Sequence, residues 1–155
     1  MGLLVSWLPW QPTKRDGVKV SKIWLGSMCD RAFSDLVRVP AIHGSDRHYL
    51  VRSARGTKKL LSRVDLEYHG NGPEYPDCDD YSVIAWGRAL EKACHRGWKY
   101  GPAIGIIRLR FRGKEKDHMM NIVAFKGGDI ALFEPQTGKY ASDFSNIAAI
   151  YEIRF

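Results

Sequence analysis

From Cys78 to about His95 the sequence carries one long helical pattern, and most of the chain beyond it reads as strand. Val83, Trp86, Leu90 and Ala93 recur at spacings of three and four, which predicts a buried stripe along one helix face. Cys94 falls on that apolar side and reads as core. Asp77 suits the N-cap, Asp80 stands where a capping box needs its partner, and Gly97 supplies the stop. Beyond the helix, Ala103 to Phe111 sets Ile107, Leu109 and Phe111 against Arg108, Arg110 and Arg112, an alternation of period two. Met119 to Phe125, Ile130 to Phe133 and Ala148 to Phe155 read as further strands. A long helix followed by a meander of strands predicts an α+β fold, the helix packed on an antiparallel sheet.

The first seventy residues carry weaker signals. A helix is expected over Ser27 to Leu36 with Pro40 as its stop, a short strand at Tyr49-Leu50-Val51, and a short helix capped by Thr57. His43, His48 and His69 are scattered and read as surface or capping residues. With 155 residues the chain is expected to form one domain, 1–155, its core built by 71–155. No run of eighteen apolar residues occurs, so no membrane span is expected. Met1 to Trp10 is apolar but lacks a basic n-region and a small-residue cleavage site, so it reads as packing onto the core rather than as a signal peptide. Gly2 and Ser6 fit only the loose myristoylation pattern.

Cys29, Cys78 and Cys94 make an odd count with no C-x-x-C pair, which disfavours a disulfide framework or a zinc site and suits a reducing, cytoplasmic setting. Nothing in the pattern demands an obligate oligomer. The net charge of +7 gathers in two stretches, Arg47 to Arg63 and Arg108 to Lys116. That balance favours an anionic partner, nucleic acid or an acidic protein, with Arg108, Arg110 and Arg112 as candidate anion-binding residues. A solvated basic face is the competing reading, since no stacking aromatics interleave with these residues in sequence.

The chemistry concentrates at the start of the long helix. Cys78 would be its first residue, where free amides and the dipole favour a thiolate. Asp77, Asp79 and Asp80 oppose that ionisation, so a nearby imidazolium is needed to offset them. His118 stands forty residues on at the head of a strand, and Glu134 sixteen further. Cysteine, histidine and a polar orienting residue in this order are how many cysteine nucleophiles are built. Register decides whether they meet. A two-residue hairpin at Gly127-Gly128 would set Asn121 opposite Glu134 and turn His118 to the other face, whereas the three-residue turn expected at Lys126-Gly127-Gly128, with Gly128 at positive φ, puts Phe125 opposite Asp129 and Met120 opposite Glu134. His118 is then a diagonal neighbour of Glu134 on the same face, the face expected to meet the helix start. Gln136 would lie across from His118 as a second orienting candidate, and Asn71 in the preceding loop is the best side-chain candidate for a second oxyanion donor.

The segments Tyr75-Pro76-Asp77-Cys78-Asp79-Asp80-Tyr81-Ser82, His118-Met119-Met120-Asn121 and Phe133-Glu134-Pro135-Gln136-Thr137 resemble the papain-like cysteine peptidase domains exemplified by the C-terminal domain of the fairy-ring mushroom agglutinin, with similar domains in bacterial and phage proteins. The resemblance covers about residues 68–137. It implies a papain-like fold with Cys78 as nucleophile, His118 as general base and Glu134 as orienting residue. It also implies calcium dependence, for which Asp77, Asp79 and Asp80 are the candidate ligands. Ser82 departs from the usual alanine and Met119 from the usual small residue. The expected function is a papain-like cysteine hydrolase acting on peptide or other amide bonds. The alternative is a non-catalytic interaction protein, of viral type, that binds an anionic partner through its arginines.

Overall fold

The computed structural model describes residues 17–36, 39–44, 46–66 and 76–155. The apolar N-terminal segment, His69 and Asn71 therefore lie outside the described residues. Val18–Ser21 forms β1, and Ser21 caps α1, Lys22–Ala32, by accepting the Trp24 N–H at 3.2 Å. The helix expected from Ser27 thus begins five residues earlier. Ser27 does not cap it: its hydroxyl donates to Ile23 O at 3.2 Å within the helix. Ile42–His43 is β2, His48–Val51 is β3, and Ala54–Lys58 is the short helix α2. Its cap is Ser53, not Thr57, which is buried inside the helix with its hydroxyl on Ser53 O.

Cys78–His95 is α3, with the bounds the sequence predicts. The Asp77 N–H donates to Asp80 Oδ2 at 3.1 Å to close the capping box. At the other end Gly97 adopts φ +66°, and its N–H and that of Trp98 reach back to Cys94 O and Ala93 O, a Schellman stop. The buried stripe differs from the expected one. It is Ser82, Ala85, Ala89 and Ala93; Val83 is 51% exposed, and Trp86 and Leu90 are only partly buried. Cys94 is exposed rather than core. Larger side chains flank the seam while small ones let the helix lie close to the sheet, a choice that apolar periodicity alone does not resolve.

The sheet is built by β4 (Ile104–Phe111), β5 (His118–Ala124), β6 (Ile130–Glu134), β7 (Lys139–Ala141) and β8 (Ile147–Arg154). Its order is β2-β8-β4-β5-β6-β7, antiparallel except for the β2–β8 edge, and β1 pairs with β3 in a separate two-stranded sheet. The fold is α+β as expected. The strands are more than a meander, because β8 returns past β7 to pair with β4, and β1, β2 and β7 have no clear sequence signal. Gly105 marks a close approach: a Cβ there would meet Arg154 O at 1.9 Å, so β8 can lie where it does only beside glycine.

Strand alternation divides the core in two. On one face Ile107, Leu109, Met120, Ile122 and Leu132 pack with Leu25, Met28 and Phe33. On the other, Ile104, Val123 and Phe133 pack with Ala85 and Ala89 of α3 and with Leu60, Leu61 and Val64.

Candidate functional site

The β5–β6 turn has the predicted register. Phe125 N–H donates to Asp129 O at 2.8 Å and Gly128 N–H to Phe125 O at 3.2 Å. Gly128 has φ +99°, and Gly127 shares the left-handed requirement at +114°. Asn121 pairs with Phe133, and one step further along that register Met120 stands opposite Glu134. His118 and Glu134 consequently share a face, and their side chains meet: His118 Nε2 lies 2.5 Å from Glu134 Oε2, both partly buried. The other carboxylate oxygen accepts the Gln136 N–H at 3.2 Å, so the glutamate is held by its own turn. Gln136 does not lie across from His118. The chain turns at residues 135–138, Glu134 pairs with Lys139, and the Gln136 side chain is exposed. It supplies a backbone donor, and the expectation that its side chain orients the ring is corrected.

Helix α3, which carries Cys78, lies on the opposite face of the sheet from this pair. Helix α3 packs against the Val123/Phe133 side, whereas His118 and Glu134 alternate with Met120, Ile122 and Leu132 on the other. The expectation that histidine and glutamate occupy the face under the helix is therefore wrong in that detail. His118 opens β5, at the end of the sheet, and the start of α3 arrives beside the residue that follows it. Cys78 Sγ accepts the Met119 N–H at 3.3 Å, which sets the sulfur against the peptide that joins His118 to Met119. The sulfur also lies 3.9 Å from Asp79 Oδ1. Among the described residues no hydrogen bond joins Sγ to the His118 ring, and Nδ1 is engaged by none of them. Phe111 flanks the ring with centroids 6.0 Å apart.

Burial pushes the Cys78 thiol up, the Met119 N–H draws it down, and Asp79 and Asp77 push it up again; the balance is a raised pKa. The helix start does not by itself make this cysteine a thiolate. The buried Cys29 is pushed up to about 12 by burial and then by Asp30.

The three aspartates do not form a cation cage. Asp77 and Asp80 are joined in the capping box, Asp79 lies beside the sulfur, and among the described residues no group of three or more His, Cys, Asp or Glu could hold a metal ion. As placed among the described residues, Asp77, Asp79 and Asp80 do not form the calcium site that the resemblance implies. The arginines separate as well. Arg108 is paired with Asp117 at 2.7 Å, Arg112 Nε donates to Ser145 O at 3.0 Å, and the Arg108 and Arg110 guanidiniums each lie 5.8 Å from the Tyr151 ring centroid. A stacking aromatic therefore does stand among these residues, brought from β8 where the register against β4 shifts.

Sequence reasoning missed Asn121. It is fully buried, and its Nδ2 donates to Ser82 O at 3.0 Å and Gly105 O at 3.2 Å. An amide in the middle of the otherwise apolar stretch Ile122 to Phe125 and Met119-Met120 was the available signal.

No protein-family model matches this sequence, and no curated protein matches it. Solved structures do. A Polyporus squamosus lectin bound to the human-type influenza-binding epitope Neu5Aca2-6Galb1-4GlcNAc superposes with TM-score 0.63 at 18% identity, over 88% of this chain and 49% of that one. A PSL1a–E64 complex superposes with TM-score 0.65 at 20% identity, over 88% and 50%. The likeness is one of fold. The chain spans about half the length of the solved structures it matches. A fold shared with a mushroom lectin agrees with the mushroom-agglutinin part of the resemblance. Among the described residues no helix is long and apolar enough to cross a membrane.

Proposed function

We propose that the chain is a papain-like cysteine hydrolase that cleaves peptide or other amide bonds. The observation that carries this reading is the His118 Nε2–Glu134 Oε2 contact with Cys78 Sγ on the adjoining Met119 N–H. Glutamate on Nε2 leaves Nδ1 to face a nucleophile and stabilises the imidazolium that forms. In the proposed reaction the Cys78 proton passes to Nδ1 as the ring and sulfur turn toward each other. The thiolate attacks the substrate carbonyl, with the Cys78 amide at the helix start as one oxyanion donor. The C–N bond breaks as His118 returns the proton to the leaving amine, and water then hydrolyses the thioester. The raised thiol pKa fits a cysteine that ionises by transfer to its base rather than standing as a thiolate.

The fold likeness to a structure solved as an E64 complex makes that compound a direct probe of the same reading. The test is turnover of a fluorogenic peptide library by the wild type, with Cys78→Ala as control. Cleavage lost in that variant is expected; cleavage that survives it, or none with any peptide, contradicts the proposal.

The Arg108–Tyr151–Arg110 cluster favours a second reading, an anion-binding face. Of Arg108, Arg110 and Arg112, two are already engaged, Arg108 by Asp117 and Arg112 by Ser145 O, which makes it the weaker one. Retention on immobilised polyanion that falls steeply with added salt is its expected signature.

A further inference from the structure

Helix α3 meets the sheet with a stripe of Ser82, Ala85, Ala89 and Ala93. Tyr81, Ile84 and Trp86 pack at the flanks of that stripe, but the residues in the seam itself are small, and precise complementarity is what selects one arrangement among near-equivalent ones. A helix sliding on alanines by one turn moves about 5.4 Å, which would carry Cys78 away from the Met119 amide. A directional contact across the seam adds to the flanking side chains in fixing the axial position near Cys78.

Resting on the proposed hydrolase reading, we infer that Asn121 is a positioning residue: its buried amide pins the first turns of α3 to β4 and β5 and so sets the cysteine against the histidine. Asn121 lies three residues from His118 on the same strand, and the carbonyl it takes, Ser82 O, lies one helical turn from Cys78. The Ser82 hydroxyl in turn donates to Cys78 O at 2.8 Å. The second Nδ2 proton goes to Gly105 O, so one side chain spans the helix and two strands. Asn121 Oδ1, by contrast, is buried with no hydrogen-bond partner among the described residues. An apolar side chain of similar size would avoid that cost, and turning the amide over would put an oxygen against two carbonyls. The group is kept for its two donors. A misplaced helix would leave them unpaired in the interior, and that penalty makes the pin selective for one register.

The experiment compares wild type with Asn121→Leu and Asn121→Ser. Iodoacetamide alkylation of Cys78 is followed by mass spectrometry across pH, with exposed Cys94 as internal control, and hydrogen exchange is followed at the Met119 amide. In Asn121→Leu, Cys78 alkylation at neutral pH should slow roughly fivefold to tenfold, the scale of one buried hydrogen bond. Its pH profile should move to higher pH, because the Met119 N–H that draws the thiol down is lost while the Asp79 and Asp77 carboxylates remain, and Met119 exchange should accelerate while Cys94 alkylation is unchanged. Asn121→Ser should move all three readouts in the same direction and serves where the leucine variant does not fold. Ser82→Ala, which keeps the carbonyl, should leave them near wild type. Unchanged Cys78 alkylation and Met119 exchange in a folded Asn121 variant would overturn the inference. Wild-type Cys78 alkylation that ignores His118→Ala would count against the hydrolase reading alone, because Met119 exchange still reports whether Asn121 holds the helix.

Discussion

Cys78 is balanced between groups that favour the thiolate and groups that oppose it. The Met119 N–H points at the sulfur, while burial and the Asp79 and Asp77 carboxylates keep the proton on. Removing the nearer charge should tip the balance. Asp79→Asn is expected to lower the Cys78 pKa and to speed its alkylation at neutral pH roughly threefold to tenfold. It should also cost about 0.5 kcal/mol of stability, because a carboxylate in the first turn favours the helix dipole. A pH–rate profile and a thermal melt check both parts, and an unshifted profile would show that Asp79 is not felt at the sulfur. Cys29 answers to pH in a different way. Its thiol, ordinarily near 9.0, is held at about 12 in the folded protein. The folded state therefore keeps a proton that the unfolded state gives up. The stability this group contributes is whole below about pH 9 and is lost as pH rises toward 12, at about 1.4 kcal/mol per pH unit. Denaturant titrations from about pH 8.5 to about pH 11 should show that slope, and Cys29→Ala, though less stable at neutral pH, should flatten it. Equal slopes in both proteins would assign the alkaline loss to other groups, of which Tyr140, also raised to about 12 by burial, is the first to test.

Among the elements, α3 and the β5–β6 hairpin were the most legible in sequence. Capping chemistry is local: Asp77, Asp80 and Gly97 mark both ends of the helix because their hydrogen bonds are made within a few residues. The hairpin was legible in place rather than in register: Gly127-Gly128 marks the turn and allows a two- or a three-residue loop, and the three-residue loop is the one observed. The illegible features depend on distant partners. Val83 looks apolar and stands exposed, while Ser82 looks polar and is buried, because the seam is chosen by how closely the sheet approaches. The strand β7 and the return of β8 beside β4 have no local signature either. The glycine where β4 and β8 meet makes that dependence measurable. Gly105→Ala would set a methyl against Arg154 O, and the backbone must yield, at a cost of about 2–3 kcal/mol or more. A chemical-denaturation midpoint lowered with an unchanged slope is the expected result; a variant as stable as wild type would mean that β8 shifts freely.

Across the whole molecule the sheet acts as a partition with an open end. Helix α3 brings a cysteine along one face, β5 and β6 carry a histidine and a glutamate on the other, and the sulfur comes to the peptide next to the histidine because His118 is the first residue of its strand. The order and spacing of Cys78, His118 and Glu134 were visible in the sequence, as was the His118–Glu134 partnership. That the cysteine comes from the opposite side, with a buried asparagine between helix and strands, was not, because layer stacking decides it rather than any one segment. Half-length similarity to a mushroom lectin at the level of fold leaves the chemistry to be decided by the residues themselves. The proposed chemistry turns on one step, the activation of Cys78 by a His118 that Glu134 orients. The rate of adduct formation with E64, mapped by mass spectrometry in wild type, His118→Ala and Glu134→Gln, reads that step. A single adduct at Cys78 is expected, slowed at least about a hundredfold without the histidine and about tenfold without the carboxylate charge, while Cys94 keeps its reactivity toward iodoacetamide. An adduct that forms at Cys94 as fast as at Cys78, or one that forms at Cys78 equally fast without His118, would contradict the activation.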